Sequence, residues 1–195
     1  GNQEIFGGRV EFNPPSNQTV GLFPAFEPRG TLEEWKETIN FYNRDGFELH
    51  QFVVGSSFGS ILMNLSPVNC AALHIHSKES GVGKTTAIAA AVSVWGRPEE
   101  LMINERDTFN TKMHRGEIYH NLPLYMDELT NSSANELSNL AYQLTGGRQR
   151  GRMTSGGNAE RYRGDAWKLL SVTTGNTSII ERISMTKSMP KAEAQ

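Results

Sequence analysis

Cysteine is nearly missing: Cys70 is the single one in 195 residues. That excludes an internal disulfide framework and fits a reducing, intracellular setting. Long apolar runs are missing too. None approaches the ~20 residues that a membrane-crossing helix needs, and no secretory signal opens the chain. The first residue is Gly1, not Met, as in a processed or excised chain. A dominant charge is also lacking. Nineteen Lys/Arg against twenty-one Asp/Glu leave a net −2, which removes the global signature of a nucleic-acid binder. Metal-ligand spacing does not occur. His74 and His76 alternate with no Cys or acidic partner at metal spacing, so they read as core or sheet-face histidines.

What remains is a chain with 37% hydrophobic and 21% charged residues, typical of one soluble globular domain. Its charge is unevenly spread. Residues 1–77 hold four Lys/Arg and eight Asp/Glu; residues 78–195 hold fifteen and thirteen. Positive charge concentrates between Arg148 and Arg163, where five arginines face only Glu160.

Four stretches organise the chain: an irregular segment 1–30, a helical segment 31–66, a core 67–184 and a frayed tail 185–195. Gly, Pro and Asn dominate the first, with Phe12, Phe23 and Phe26 expected to pack on the core. Thr31 with Glu34 forms a capping box and predicts a helix to about Asn43. Phe47 to Leu65 is mostly apolar and reads as a buried helix ended by Pro67. Ala71 to His76 reads as a buried parallel strand. An Ala-rich helix from Thr85 to about Trp95 follows a Gly-rich loop. Leu101 to Ile103 reads as a weak strand and Thr108 to Tyr119 as a helix. Leu122 to Met126 is the next strand. Ser133 with Glu136 caps a helix that carries Leu137, Leu140 and Leu144 on one face. Residues 148–166 read as a β-hairpin with a mobile tip near Gly156 and Gly157. Trp167 to Thr173 is a last strand. Strands alternating with helices predict an α/β fold with a mainly parallel sheet.

Three motifs carry chemistry. Ser80-Gly81-Val82-Gly83-Lys84-Thr85-Thr86 lies between a predicted strand and a predicted helix, the setting of a P-loop. Glycines let backbone N–H groups turn inward on phosphate oxygens. The helix N-terminus adds partial positive charge. Lys84 is placed to reach the β- and γ-phosphates, and the Thr85 hydroxyl to ligate Mg²⁺. Lys78 stands where the full pattern has its first glycine, which puts the loop's first turn in question.

The second motif is the strand ending in Asp127-Glu128. Ligands bind at the carboxyl edge of parallel sheets. Asp127 is expected to hold Mg²⁺ and Glu128 to activate the attacking water. Alone, such a pair could equally cap the next helix. The third motif is the strand into Thr174-Gly175-Asn176. Asn176 is the first choice for a sensor that positions the water, and Thr174 the second. The competing reading of Asn176 is a cap for a short helix at 177–182.

Arg148, Arg150, Arg152 and Arg182 are candidates for an arginine finger acting on a neighbouring subunit. Arg148, Arg150, Arg152, Arg161 and Arg163 form a basic hairpin suited to a nucleic-acid backbone. For any one arginine, a solvated surface charge is the competing reading.

Together these residues resemble the P-loop ATPase domain of phage- and plasmid-encoded helicases or primase-helicases, within the AAA+ class. The resemblance spans roughly Leu32 to Arg182. It rests on the Ser80–Thr86 loop, Ser93-Val-Trp-Gly-Arg-Pro98, the Leu122–Leu129 strand, the segment 146–164 and the strand into Asn176. It implies ATP and Mg²⁺ as cofactors and a homo-oligomer, usually a hexameric ring, in a cytoplasm. It also implies that the hairpin Arg148–Gly164 faces a central channel and grips single-stranded DNA. Two other readings stand beside it. One is an AAA+ ATPase that remodels proteins or packages DNA. The other is a non-hydrolysing nucleotide-binding assembly module.

Overall fold

The computed structural model describes residues 2–5, 8–11, 20–153, 160–161 and 165–186, and every structural statement below concerns these. The expected packing of Phe12, the tip near Gly156 and Gly157, and Arg163 lie outside them.

Two short strands, β1 (Asn2–Ile5) and β2 (Gly8–Glu11), pair antiparallel. A 3-10 turn follows at Phe23–Phe26. Helix α1 (Leu32–Ile39) starts on the expected capping box: Thr31 Oγ1 accepts the Glu34 N–H, and Glu34 Oε2 accepts the Thr31 N–H at 3.0 Å. The Thr31 hydroxyl, which donates to Glu34 Oε2 at 2.8 Å, and then the Thr31 N–H hold the Glu34 carboxyl below its ordinary pKa. Trp35 docks the helix by donating from Nε1 to Ser93 Oγ at 2.8 Å.

Helix α2 (Glu48–Gly59) continues into 3-10 turns over Ser60–Leu65. The expected buried helix is therefore shorter, and only one side of it is covered. Val53, Val54 and Ser57 are buried, while Leu49, Phe52, Phe58, Ile61, Leu62 and Leu65 are exposed. The small Ser57 side chain lets α2 approach helix α3 (Lys84–Val92) closely. Its hydroxyl donates to Ala91 O at 2.7 Å and accepts from Trp95 Nε1 at 3.0 Å. Tyr125 OH shares Ala91 O at 3.1 Å. Burial raises the Tyr125 phenol pKa and keeps it neutral.

The core sheet has three parallel strands: β3 (Cys70–His76), β4 (Leu124–Met126) and β7 (Leu169–Gly175). Their spatial order is β3-β7-β4. The last strand in sequence thus sits between the strand that feeds the P-loop and the strand that ends in Asp127. Parallel neighbours need crossover connections, and helices provide them. Leu124, Leu169 and Val172 are fully buried, each worth roughly 1.5–3 kcal/mol of hydrophobic stabilisation. Burial also pushes the Cys70 thiol up to about 11, so it stays protonated and inert.

The weak strand expected at Leu101–Ile103 is a one-turn helix, α4 (Pro98–Leu101), followed by a single bridge from Ile103 to Met126. Pro98 at the first helical position, with Glu99 and Glu100 in the first turn, favours the helix. Helix α5 (Phe109–Tyr119) is capped by Thr108, and α6 (Ala134–Thr145) by Ser133. Strands β5 (Arg152–Met153) and β6 (Glu160–Arg161) pair antiparallel, with Arg152 opposite Arg161. Helix α7 (Ile179–Thr186) closes the described chain. No helix among the described residues is long and apolar enough to cross a membrane.

Candidate nucleotide site

The three motifs meet at the carboxyl edge of the sheet. Strand β3 ends at His76, and residues 77–83 turn into the N-terminus of α3. Gly81 (φ 76°) and Gly83 (φ 83°) occupy the left-handed region, where a Cβ is costly. Lys78 does not: His120 and Glu128 are the positive-φ non-glycine residues among the described ones. The first turn therefore accepts lysine in ordinary backbone. Lys84 Nζ donates to Ser77 O (3.2 Å) and Glu79 O (2.9 Å), bracing the loop across its width.

Asp127 and Glu128 follow β4 directly. Asp127 is clamped from one side by its N–H donating to Ile103 O at 2.9 Å. On the other side its Oδ1 accepts two hydroxyls, Thr85 Oγ1 at 3.3 Å and Thr174 Oγ1 in a short bond. Thr174 Oγ1 also accepts the Glu128 N–H at 3.0 Å. The strand order explains this. Because β7 lies between β3 and β4, a hydroxyl near its carboxyl end reaches the carboxylate of one neighbour, which in turn meets the P-loop threonine of the other.

Glu128 sits at φ 52° and ψ 32° and makes no side-chain cap to the 3-10 turn Leu129–Asn131. Its exposed carboxylate accepts from Asn131 Nδ2 at 3.4 Å. The helix-cap alternative for this pair is not what the structure shows. Helix α7 begins at Ile179, three residues after Asn176 and two later than the short helix expected at 177–182. Asn176 is exposed just past the end of β7.

Thr85 and Asp127 offer one hydroxyl and one carboxylate, hard oxygen donors side by side. Mg²⁺ suits such a pair, since it keeps several waters and takes few protein ligands alongside phosphate oxygens. No group of three or more His, Cys, Asp or Glu able to hold a metal occurs among the described residues.

Arg106 and Asn104 were not singled out by sequence reasoning. With Glu105 they line a cleft of about 290 Å³ against Asp127 and Glu128. The Ile103–Met126 bridge puts them there, and no local motif announces it. His50 is a second surprise. Its Nε2 lies 3.1 Å from where a Cβ on Gly83 would be, and its ring stacks on Tyr42 at 5.3 Å.

The candidate finger and nucleic-acid arginines sit apart from this cluster in sequence. Arg148, Arg150 and Arg182 are exposed, and Arg150 lies over the Tyr142 ring at 5.5 Å. Arg152 and Arg161 are ladder partners in the β5–β6 hairpin.

Among solved structures, the chain is similar to an SCCmec type IV Cch, described as an active helicase, with a TM-score of 0.54 and 22% identity. That match covers 80% of this chain and 29% of the helicase. The two share a fold, and this chain spans less than a third of the helicase's length. A weaker likeness, TM-score 0.37 and 15% identity, is to NtrX from Brucella abortus in complex with ATP, over 69% of this chain and 32% of that one. A search of curated proteins found no match. Residues 3–164 match the family model described as domain of unknown function (DUF927), and the chain belongs to that family.

Proposed function

We propose that this chain is an AAA+ type ATPase module that couples ATP hydrolysis to movement along single-stranded DNA. The observation that carries the reading is the pair of hydroxyls on Asp127: Thr85 from the P-loop and Thr174 from the central strand converge on one carboxylate beside Glu128. Such convergence serves an oxygen-rich reaction centre and has little use in a passive anion site.

In this reading the loop amides of 80–86 and Lys84 bind the phosphates. Thr85 and Asp127 would hold Mg²⁺, which neutralises charge on the phosphate oxygens. Glu128 orients a water and takes its proton. Asn176 positions that water from the neighbouring strand end. Arg148, Arg150, Arg152 and Arg182 are the candidates to act in trans in a ring, and the β5–β6 hairpin is the candidate DNA element. The shared fold with a helicase supports the load being nucleic acid.

The test is steady-state ATP hydrolysis with Mg²⁺, with and without single-stranded DNA, over a range of protein concentrations. Turnover rising with both DNA and concentration is expected. Lys84→Ala should bind no nucleotide, and Glu128→Gln should bind without turnover. Neutralising Arg148, Arg150 and Arg152 together should weaken DNA binding and flatten its salt dependence. Turnover indifferent to DNA in the unmodified chain would remove the motor reading.

A further inference from the structure

We propose that His74 is a positioning residue of this site: it bridges the P-loop strand to the loop that carries Asn176. The inference rests on the ATPase reading and deepens it.

The geometry is specific. His74 Nε2 is 2.9 Å from Thr177 O, and Nδ1 is 2.8 Å from Thr173 Oγ1. A carbonyl only accepts, so Nε2 carries the proton. Burial lowers the His74 pKa and favours the neutral ring. In that neutral ring Nδ1 is bare and accepts the Thr173 hydroxyl.

These two partners are not equivalent. Thr173 faces His74 across the β3–β7 ladder. Thr177 lies beyond the end of β7, on the far side of Asn176. The imidazole therefore reaches past the strand end and holds the loop from behind. A second bond has the same direction, from Ser77 N to Gly175 O at 3.4 Å. Both ties come from the strand that leads into the P-loop, so residues 175–177 are fixed to the element that holds the phosphates. Asn176 sits between the two tied carbonyls. A sensor amide must be held to a fraction of an ångström, because a misplacement of about 1 Å can cost roughly a hundredfold in rate.

The test compares the unmodified chain with His74→Phe, His74→Gln and Asn176→Ala. It measures ATP turnover, nucleotide affinity, melting temperature and hydrogen exchange at the amides of 175–178. Phenylalanine fills the same space and removes the donor. Glutamine restores an N–H at the position of Nε2. His74→Phe is expected to lower kcat about tenfold or more with nucleotide affinity within about twofold, and to speed exchange in 175–178 selectively. His74→Gln should recover most of both.

Asn176→Ala slow with His74→Phe at the unmodified rate would overturn the role of His74 and leave the site reading standing. Asn176→Ala at full rate would overturn the proposal by removing the group being positioned. If the unmodified chain turns over no ATP, the function reading fails, and exchange decides the bridge alone: unchanged protection in His74→Phe overturns it. A melting temperature lowered equally in both His74 variants, with exchange raised throughout, would show a packing role and also overturn it.

Discussion

Thr174 Oγ1 accepts the backbone N–H of Glu128 at 3.0 Å while donating to Asp127 Oδ1. One buried hydroxyl thereby fixes both carboxylate-bearing residues from the central strand. Valine has the same shape and no hydroxyl. Thr174→Val should leave the Glu128 N–H without a partner, at a cost of about 1–3 kcal/mol. Turnover should fall by about tenfold or more, because Glu128 loses its anchor. Thr174→Ser should restore much of both. Chemical denaturation and steady-state hydrolysis of the two variants check this. Equal stability of Thr174→Val and the unmodified chain would show that the hydroxyl is not structural.

Glu128 itself is held in left-handed backbone, φ 52°, which costs roughly 1–2 kcal/mol for a residue with a Cβ. Strain of this kind at a site is a reason to compare two substitutions. Glu128→Ala removes the carboxylate and keeps the strain. Glu128→Gly removes both. Both variants should lose turnover, yet Glu128→Gly should melt about 2–8 °C higher than Glu128→Ala. Calorimetry on the pair reads the difference. If the alanine variant melts as high as the glycine one, the strain is not there.

Much of this site was legible because its signals are local. Glycines before a lysine between strand and helix, or two acids after an apolar strand, need no knowledge of the rest of the chain. The capping box at Thr31 and the N-cap at Ser133 were legible for the same reason, although the Glu136 carboxylate goes to Lys112 and does not close a second box. What was not legible depends on topology. Arg106 lines one cleft with Glu128 because Ile103 bridges Met126. His74 reached Thr177 only once β3 and β7 were neighbours, and alternation on a strand gave no hint of it. The apolar stretch 47–65 failed differently. It is hydrophobic on all sides, so no period marks which side is covered, and several of its large side chains are exposed.

Gly83 combines two demands. Its φ is 83°, and an added Cβ would lie 3.1 Å from His50 Nε2. Gly83→Ala should lower nucleotide affinity by about tenfold or more, since the strained loop can no longer present its amides. The two causes separate in the double variant. His50→Ala with Gly83→Ala removes the contact and leaves the backbone strain. Fluorescent-nucleotide titration should show the double variant still defective. Full recovery would mean that the His50 contact, and not φ, was the constraint.

Lys112 and Glu136 join α5 to α6 through a bond of 3.1 Å from Nζ to Oε1, with the lysine side chain 1% exposed and the glutamate 35%. The burial is lopsided, so the two partners should not be equivalent. Glu136→Ala strands an ammonium in the interior and should cost about 3 kcal/mol or more. Melting should then drop by roughly 6–12 °C. Lys112→Met keeps the unbranched stem and its packing, and releases a carboxylate that can reach water. It should cost under about 1.5 kcal/mol. Thermal unfolding of both variants decides the matter. A larger loss in Lys112→Met than in Glu136→Ala would mean that the packing of the lysine stem, and not the cost of a stranded charge, dominates the pair. The opposite order would assign the bond the smaller task of neutralising a charge that packing has already placed inside.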